Sequence, residues 1–476
     1  MHISSVRLGH ANNSSSTHSI LLNSPLKANH DIEAFQYGWE WFHLKDADSK
    51  ARYMAAMIYG ALEHDMSKEH AAIVAGSLTG TPILEHVNSK DEDGHGVSTY
   101  VDHQSEIAFP NEFGSNKYGN RGTYDPNFMR EFTDYVIKNP NVSVRGGNDN
   151  EEDPEIAAAL GERQFENLPL EHSRGLLFCR KDGEWWVLYN KGTGAKVRLS
   201  LVDNPAPFVA KTPELIDIKI TDYCPIGCKF CYQDSTKNGK HATLETLQSL
   251  AYDLEKAKVF EIALGGGETT MHPDFPKILE MFFNHGITVN FTTFDMRWTK
   301  NEAIVEAVKK YCRSFAMSDP GQVKALALWN EALGGPYTGK GPLGTLQIPM
   351  GCYDDDVLKR ALRQAKALNV DVTLLGFKHF GRGEVFNPGK YAWVIKFLKD
   401  DGWWKFGADS VFVQQFKDEL KDVGVHQKLM VDKEGAYSCY IDAVNMQMGA
   451  SSYTKELHDV VLNQDKLFAK FPYAAI

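Results

Sequence analysis

Hydrophobic and polar positions follow one pattern from about residue 209 onward. Short apolar segments alternate with segments whose apolar residues recur at helical spacing, which predicts strands and helices in alternation. We predict six strands, at 215–220, 260–264, 287–293, 314–318, 345–349 and 370–376. The helices predicted among them cover 243–257, 274–285, 301–311, about 321–333 and 354–368. Six such units predict an α/β fold, a partial (β/α)6 barrel with a parallel sheet inside and helices outside.

The first 208 residues show a different pattern. Apolar residues at helical spacing predict two helices between Asp46 and Gly76, with Gly76 as the stop of the second. A further short helix is predicted at 128–138. Apolar segments at 176–180 and 185–189 flank Lys181-Asp-Gly-Glu184, which predicts a β-hairpin, and 197–201 is predicted as a third strand. These elements indicate an α+β region.

Two prolines in Asp203-Asn-Pro-Ala-Pro207 mark a boundary between the two patterns. We therefore expect an N-terminal α+β region at 1–208, whose role the sequence does not reveal, and a barrel core at 209–425. The remaining residues, 426–476, are predicted to form a short C-terminal extension. A chain of 476 residues is too long for one ordinary core, which agrees with more than one domain.

Charge and hydropathy narrow the class of partner. The net charge is −11, with 24% charged and 43% hydrophobic residues, so the chain lacks the basic footprint of a general nucleic-acid binder. Lys196-Val-Arg198 is a short basic run, which we expect to be a solvated face. The sequence has no apolar stretch of membrane-spanning length and no apolar signal core, so we expect a cytoplasmic protein without a membrane partner.

Three of the seven cysteines lie close together, in Cys224-Pro-Ile-Gly-Cys228-Lys-Phe-Cys231, directly after the first predicted strand. Thiolates at this spacing suit a metal better than a disulfide. An electron-transfer cluster or a structural zinc site normally takes four protein ligands, so three cysteines leave one position open for chemistry. In α/β barrels, ligands gather at the carboxyl ends of the strands, where this loop lies.

With Gly265-Gly-Gly-Glu268 at the end of the second strand, the cysteine motif resembles the radical S-adenosylmethionine (radical SAM) enzymes over roughly residues 209–380. Thr269 stands where that family usually has proline. The resemblance implies that Cys224, Cys228 and Cys231 hold a [4Fe–4S] cluster whose fourth iron binds S-adenosylmethionine. Reductive cleavage of this cofactor would give a 5′-deoxyadenosyl radical that abstracts hydrogen from a substrate.

The resemblance also implies residues that bind S-adenosylmethionine. Gly266, Gly267 and Glu268 would receive its ammonium, although the glycines alone are also compatible with a plain strand–helix turn. Phe230 would lie near the adenine, or else be a core aromatic. Ser318 matches the position that contacts the ribose, and Asp319 is an alternative for that role. The segment could equally be a simple helix cap before Gly321.

Other reactive residues are less specific. Cys352, at the predicted barrel mouth, could donate hydrogen to a substrate radical or bind substrate. Cys179 and Cys312 are expected to be small buried hydrophobes. Lys378 or Arg382, in the loop after the sixth strand, could meet the cofactor carboxylate or a substrate anion, or belong to a solvated loop.

The substrate is not encoded in a recognisable motif. The acidic balance favours a peptide or small metabolite over RNA or a nucleoside. The family's chemistry implies an external one-electron donor of the flavodoxin or ferredoxin type. The alternative is a non-catalytic zinc or iron–sulfur module used for structure or electron transfer, against which the Gly265–Glu268 segment argues.

Overall fold

The computed structural model describes residues 2–7, 20–22, 35–37, 42–63, 66–89, 99–101, 126–140, 142–146, 177–192, 194, 196–202, 204–333, 342–383, 387–401, 406–423, 425, 434–462 and 467–473. The chain divides into two compact units. The first comprises Met1, Ser16–Cys179 and Leu201–Asp203, and the second comprises His2–Ser15, Arg180–Ser200 and Asn204–Ile476. The functional domain bounds given above remain predictions.

The first unit combines helices with two small sheets. Strand β1 (His2–Arg7) belongs to the second unit, and the elements of the first are β2 (Ile20–Leu22), β3 (Gln36–Tyr37), β4 (Phe42–Leu44), α1 (Ala47–Leu62), α2 (Lys68–Thr79), α3 (Leu84–Asn88), β5 (Tyr100–Val101), α4 (Pro126–Lys138) and β6 (Val142–Gly146). One sheet has the antiparallel order β2-β6-β4, and β3 pairs with β5 in parallel.

The predicted stop of α2 at Gly76 is wrong by one turn. Gly76 is helical, and the helix ends at Gly80, which has a φ of 73°. The Gly80 N–H donates to the Gly76 carbonyl at 2.9 Å and so closes the last turn. Because the left-handed conformation is easiest for glycine, the second glycine ends the helix while the first is carried through it.

The second unit contains the remaining strands and helices. Its strands after β1 are β7 (Leu177–Asp182, of which residues 177–179 are assigned to the first unit), β8 (Trp185–Asn190), β9 (Lys196–Ser200), β10 (Leu215–Thr221), β11 (Glu261–Gly266), β12 (Thr288–Thr293), β13 (Cys312–Met317), β14 (Leu343–Pro349), β15 (Val372–Leu375), β16 (Gly407–Ala408), β17 (Ser438–Asp442), β18 (Gln447–Gly449) and β19 (His458–Asp459). Its helices are α5 (Leu244–Lys256), α6 (Phe275–Asn284), α7 (Glu302–Tyr311), α8 (Val323–Ala332), α9 (Asp355–Ala367), α10 (Trp393–Asp400), α11 (Ser410–Gln415) and α12 (Lys417–Asp422).

A ten-stranded sheet forms the partial barrel, in the order β16-β15-β14-β13-β12-β11-β10-β17-β18-β19. The six predicted strands are confirmed as β10 to β15, and they pair in parallel in chain order. Strand β17 lies in the predicted C-terminal extension and adds a parallel strand on the open side of β10. The extension is therefore part of the sheet that positions the site.

The four-stranded sheet, in the order β1-β9-β8-β7, contains the predicted hairpin and third strand. The expectation that Lys196 and Arg198 form a solvated face is wrong, because they are only 2% and 5% exposed. Lys196 contacts Glu214 at 3.1 Å and Glu261 at 3.2 Å, and Arg198 binds Glu214 at 2.6 Å.

These buried ion pairs lie where β10 and β11 begin, at the amino ends of the barrel strands. Burial alone would raise the pKa of Glu214, but the charges of Arg198 and Lys196 lower it to about 2. Lys196 and Arg198 thus neutralise carboxylates that are buried in the barrel.

Candidate active site in the barrel interior

One cavity of about 910 Å³ runs through the barrel interior. It extends from Lys196 and Arg198 at the amino ends of the strands to the cysteine loop at their carboxyl ends. Its lining includes every site residue predicted from the sequence: Cys224, Cys228, Phe230, Cys231, Gly266, Gly267, Glu268, Ser318 and Cys352. The volume is near the upper end of the range for small-molecule sites, roughly 300–1,000 Å³. The structure thus brings these residues together, while their roles remain predictions.

The cysteine loop follows β10 and is held by backbone hydrogen bonds. The Cys224 N–H donates to the Thr236 carbonyl at 2.9 Å, and Gly227 turns the loop with a φ of 73°. All three cysteines are free thiols and partly exposed to the cavity. Burial, together with the neighbouring Cys231 and Cys224, raises the pKa of Cys228 to about 11. Binding to a positively charged partner such as iron would favour the thiolate form instead.

Arg382, in the loop after β15, holds the cysteine loop. Its guanidinium donates to the Cys228 carbonyl at 3.1 Å, to the Ser235 carbonyl at 3.0 Å and to the Asp234 carboxylate at 2.6 Å. Its backbone N–H donates to the Cys231 carbonyl at 3.0 Å. Of the alternatives for this residue, the structure therefore favours support of the cysteine loop over contact with an anion.

The three cysteines do not form a site for a single ion. Within the described ranges, no group of three or more His, Cys, Asp or Glu side chains is placed to hold one metal ion. Ligands of one zinc ion must converge on a point, since each Zn–S bond is about 2.3 Å long. In an iron–sulfur cluster, each cysteine binds a different iron, so the donor set of three soft thiolates fits a cluster without such convergence.

The three glycines at the end of β11, Gly265 to Gly267, are glycines for different structural reasons. A Cβ on Gly266 would lie 2.2 Å from the Thr221 carbonyl oxygen, and its φ is 118°. A Cβ on Gly267 would lie 2.1 Å from the Tyr223 carbonyl oxygen. These two are therefore required by the protein's own packing. A Cβ on Gly265 would meet open space, so this glycine leaves room in the cavity for a ligand to approach the backbone.

The Glu268 carboxylate ties the end of β11 to the end of β12. Oε1 accepts from the Thr270 N–H at 3.3 Å, the Thr270 hydroxyl at 2.6 Å and the Thr293 hydroxyl at 2.7 Å. Oε2 accepts from the Phe294 N–H at 2.9 Å. The side chain is 4% exposed. Oε2 accepts one described hydrogen bond, so it retains capacity for one donor from a ligand.

Ser318 and Phe230 both contact Tyr353. The Tyr353 hydroxyl donates to the Ser318 carbonyl at 2.9 Å, and its ring meets that of Phe230 edge-on at 5.6 Å. The Ser318 hydroxyl accepts from the Gln347 amide at 2.7 Å. Asp319, the alternative to Ser318, instead caps the turn at Gly321 N–H at 2.8 Å. Phe230 is half-buried and lines the cavity, so it is not a core aromatic.

The remaining cysteines lie in different environments. Cys352 lines the cavity, where burial and the nearby Cys228 raise its pKa to about 12. Cys179 and Cys312 are each 2% exposed, in agreement with their prediction as buried hydrophobes. Cys439 is buried in β17.

Sequence reasoning missed several polar residues of the cavity, among them Asp217, Asp409, Glu434 and Tyr453. A signal existed for Asp217, which interrupts the apolar strand Leu215–Thr221 at an alternate position. Such an acid faces the opposite side of the strand from Ile216 and Ile218. The other three lie in loops or at helix starts far along the chain, and no pattern joins them.

Comparison with known proteins identifies the domain. Residues 218–318 match the family model of the Radical SAM superfamily. The mycofactocin maturase MftC of Mycobacterium tuberculosis is 30% identical over 101 residues, which are 21% of this chain and 26% of the relative. The MftC of Mycobacterium ulcerans is 31% identical over 87 residues, 18% of this chain and 23% of the relative. The chain thus matches about a quarter of the length of these relatives.

Solved structures also resemble the chain. Streptococcus suis SuiB bound to the precursor peptide SuiA has a TM-score of 0.46 at 11% identity, covering 62% of this chain and 87% of that chain. Native anSMEcpe with bound AdoMet has a TM-score of 0.36 at 12% identity, covering 51% and 76%. The family match thus shows a segment similar to the radical SAM superfamily at residues 218–318. Members of this superfamily bind a [4Fe–4S] cluster and S-adenosylmethionine, the cofactors expected from the sequence.

In the part of the chain that the structure describes, no helix is long and apolar enough to span a membrane.

Proposed function

We propose that the protein is a radical SAM enzyme that modifies a peptide or a small metabolite. One observation carries the proposal: the three cysteines after β10 line the same cavity as Gly265 on the adjacent β11, where a Cβ would meet open space. A family model of the radical SAM superfamily covers both. A non-catalytic cluster module needs neither an open glycine beside the cluster loop nor an interior cavity.

Residues of this chain have defined parts in the proposal. Cys224, Cys228 and Cys231 would hold the cluster, and Arg382 would fix the conformation of their loop. When bound, the cluster and S-adenosylmethionine supply a 5′-deoxyadenosyl radical that abstracts hydrogen from the substrate. The protein provides the orientation, the electrostatic surroundings and the exclusion of water.

The methionine end of the cofactor would lie against the carboxyl end of β11. Gly265 leaves its backbone open to the cavity, and Glu268 has one carboxylate oxygen that accepts a single hydrogen bond. Both features suit an ammonium group, which donates and never accepts. Phe230 and Ser318, farther along the cavity wall, would contact the adenine and the ribose.

The substrate and the electron donor are the less defined parts of the proposal. The curated relatives are named maturases, and the net charge of −11 gives no basic footprint for RNA. We therefore favour a peptide or small metabolite. A flavodoxin or ferredoxin would supply the electron. Cys352 would stand close enough to the cysteine loop to meet a substrate radical.

Anaerobic reconstitution with iron and sulfide tests the proposal. We expect about four irons per chain and a cluster absorption or EPR spectrum that changes when S-adenosylmethionine is added. Cys228→Ala should lose the cluster, whereas Cys312→Ala, which removes a buried thiol outside the cavity, should retain it. An intact cluster whose spectrum ignores S-adenosylmethionine would favour the non-catalytic module instead.

A further inference from the structure

A carboxylate on β10 projects into the cavity with no partner among the residues that the structure describes. Asp217 of β10 keeps more than a third of its surface accessible, but that surface belongs to the cavity. It forms no hydrogen bond and no salt bridge with any residue that the structure describes. Ile216 and Ile218 on either side are fully buried, so the strand's alternation fixes Asp217 on the inner face. A carboxylate deep in a protein is costly unless something pairs with it.

The nearest cation already has a partner. Lys378 lies in the cavity wall, with its ammonium 4.8 Å from the ring centroid of Tyr232 and 5.0 Å from that of Tyr453. Its ammonium is 3.6 Å from Asp409. The other oxygen of Asp409 accepts from the Gly376 and Phe412 N–H groups, both at 2.8 Å. Lys378 and Asp409 therefore form an internal pair fixed by backbone donors and aromatic faces.

A third carboxylate adds to the negative charge of the cavity. Glu434, which precedes β17, accepts from the Ser410 hydroxyl and lies beside the Tyr453 phenol. It lines the same cavity as Asp217. The other cations of the lining are matched: Lys196 and Arg198 by Glu214 and Glu261, and Lys219 by Asp222 and Asp442. Within the described part of the chain, Asp217 and Glu434 are thus left without a cation of their own.

The titration of these acids agrees with a missing cation. Burial raises the pKa of Asp217 to about 6 and that of Glu434 to about 7. Around Asp217, Lys378 lowers its pKa, while Asp409 and Glu261 raise it. Lys378 also lowers the pKa of Glu434, while Asp409 and Asp217 raise it. A positive ligand group between the two acids would favour their charged forms.

We propose that the barrel cavity binds a cationic group of the substrate, an alkylammonium or a guanidinium, against Asp217 and Glu434. The inference rests on the proposed function and specifies its substrate class. The Lys378–Asp409 pair and the two tyrosine rings form the wall beside this group, so an anionic group would meet two uncompensated carboxylates. The cation can come from a lysine or arginine side chain of a peptide or from a free amine.

Binding to the reconstituted protein, in saturating S-adenosylmethionine so that the cofactor site is filled, tests the inference. The probes are Nα-acetyl-lysinamide and Nα-acetyl-argininamide, with norleucine and citrulline counterparts as uncharged controls, measured by calorimetry. The same four residues placed in capped Gly-X-Gly peptides separate a peptide source from a free amine. We expect at least one charged probe to bind about tenfold or more tightly than its uncharged counterpart.

Two variants assign the preference to the cavity. Asp217→Asn and Glu434→Gln should each reduce the preference for charge about tenfold, whereas Asp356→Asn, on the exposed surface of α9, should not. Because Asp217 has no partner to lose, Asp217→Asn should also raise the Tm of the ligand-free protein. A lower Tm would show that Asp217 is structural and would overturn the inference.

Equal binding of charged and uncharged probes, or no binding by any charged probe, overturns the inference. If S-adenosylmethionine is cleaved but charge is not discriminated, the inference fails and the proposed function stands. If Asp217-dependent binding of a cation occurs in a protein that never cleaves S-adenosylmethionine, the proposed function fails and the cation site stands.

Discussion

Replacing Glu268 with glutamine separates the structural part of this residue from its proposed part in cofactor binding. The carboxylate accepts hydrogen bonds from two backbone N–H groups, Phe294 on Oε2 at 2.9 Å and Thr270 on Oε1 at 3.3 Å. Glutamine has only one acceptor oxygen. In either orientation of the amide, its NH₂ group therefore faces one of the two backbone N–H groups, which loses its acceptor. The hydroxyls of Thr270 and Thr293 can instead rotate and accept a hydrogen bond from the NH₂ group.

The magnitude follows from the burial of the site. Glu268 is 4% exposed, so the backbone donor that loses its acceptor cannot turn to bulk water. A buried unsatisfied donor costs about 1–3 kcal/mol. We expect Glu268→Gln to lower the free energy of unfolding by that amount and the Tm by a few degrees. The affinity for S-adenosylmethionine should also fall, because an amide oxygen attracts an ammonium less than a carboxylate does.

Urea unfolding of the cofactor-free protein measures the first effect, and equilibrium dialysis with S-adenosylmethionine measures the second. Glu331→Gln, at an exposed position near the end of α8, is the matched control and should change neither. Unchanged stability in Glu268→Gln would refute the hydrogen-bond reasoning. Lower stability with unchanged affinity for S-adenosylmethionine would leave Glu268 a structural residue only.

Further variants test other parts of the site. Gly266→Ala should destabilise the protein by about 1–3 kcal/mol in urea unfolding, because its φ is 118° and its Cβ would clash, whereas Gly265→Ala should keep stability and weaken S-adenosylmethionine binding. Arg382→Gln should lower the iron bound after reconstitution, since three guanidinium bonds to the cysteine loop are lost; full iron content would contradict the proposed support. The pKa of Asp217 is about 6 in the folded protein, above its ordinary value of 3.8. Ionisation of Asp217 therefore destabilises the folded state relative to the unfolded chain. The Tm advantage of Asp217→Asn should therefore be absent below about pH 4 and grow as the pH rises towards 6 and above, and a pH-independent difference would contradict the assignment.

The barrel strands were predictable because their hydrophobic pattern is local. Strands β10 to β15 alternate with amphipathic helices, so each element is visible within a short window of sequence. Strand β16 has only two residues, and β17 pairs with β10 from more than 200 positions away. Neither carries a local signal of where it pairs, and so neither was predicted.

The site was predictable to the extent that its chemistry is carried by motifs. The cysteine motif and Gly265–Glu268 lie in short segments, and the structure brings them to one cavity. Arg382 contacts Cys228 from 154 positions away, and Lys196 meets Glu261 from 65 positions away. Pairs of this kind depend on the tertiary fold rather than on sequence spacing. The burial of Lys196 and Arg198 could therefore not be predicted from their local sequence.

The most direct test of the account is the formation of 5′-deoxyadenosine. The reconstituted protein, reduced anaerobically with dithionite in the presence of S-adenosylmethionine, should release 5′-deoxyadenosine, and Cys228→Ala under the same conditions should release none. An intact [4Fe–4S] cluster in the unmodified protein, with no 5′-deoxyadenosine after full reduction, would contradict the proposed radical SAM activity.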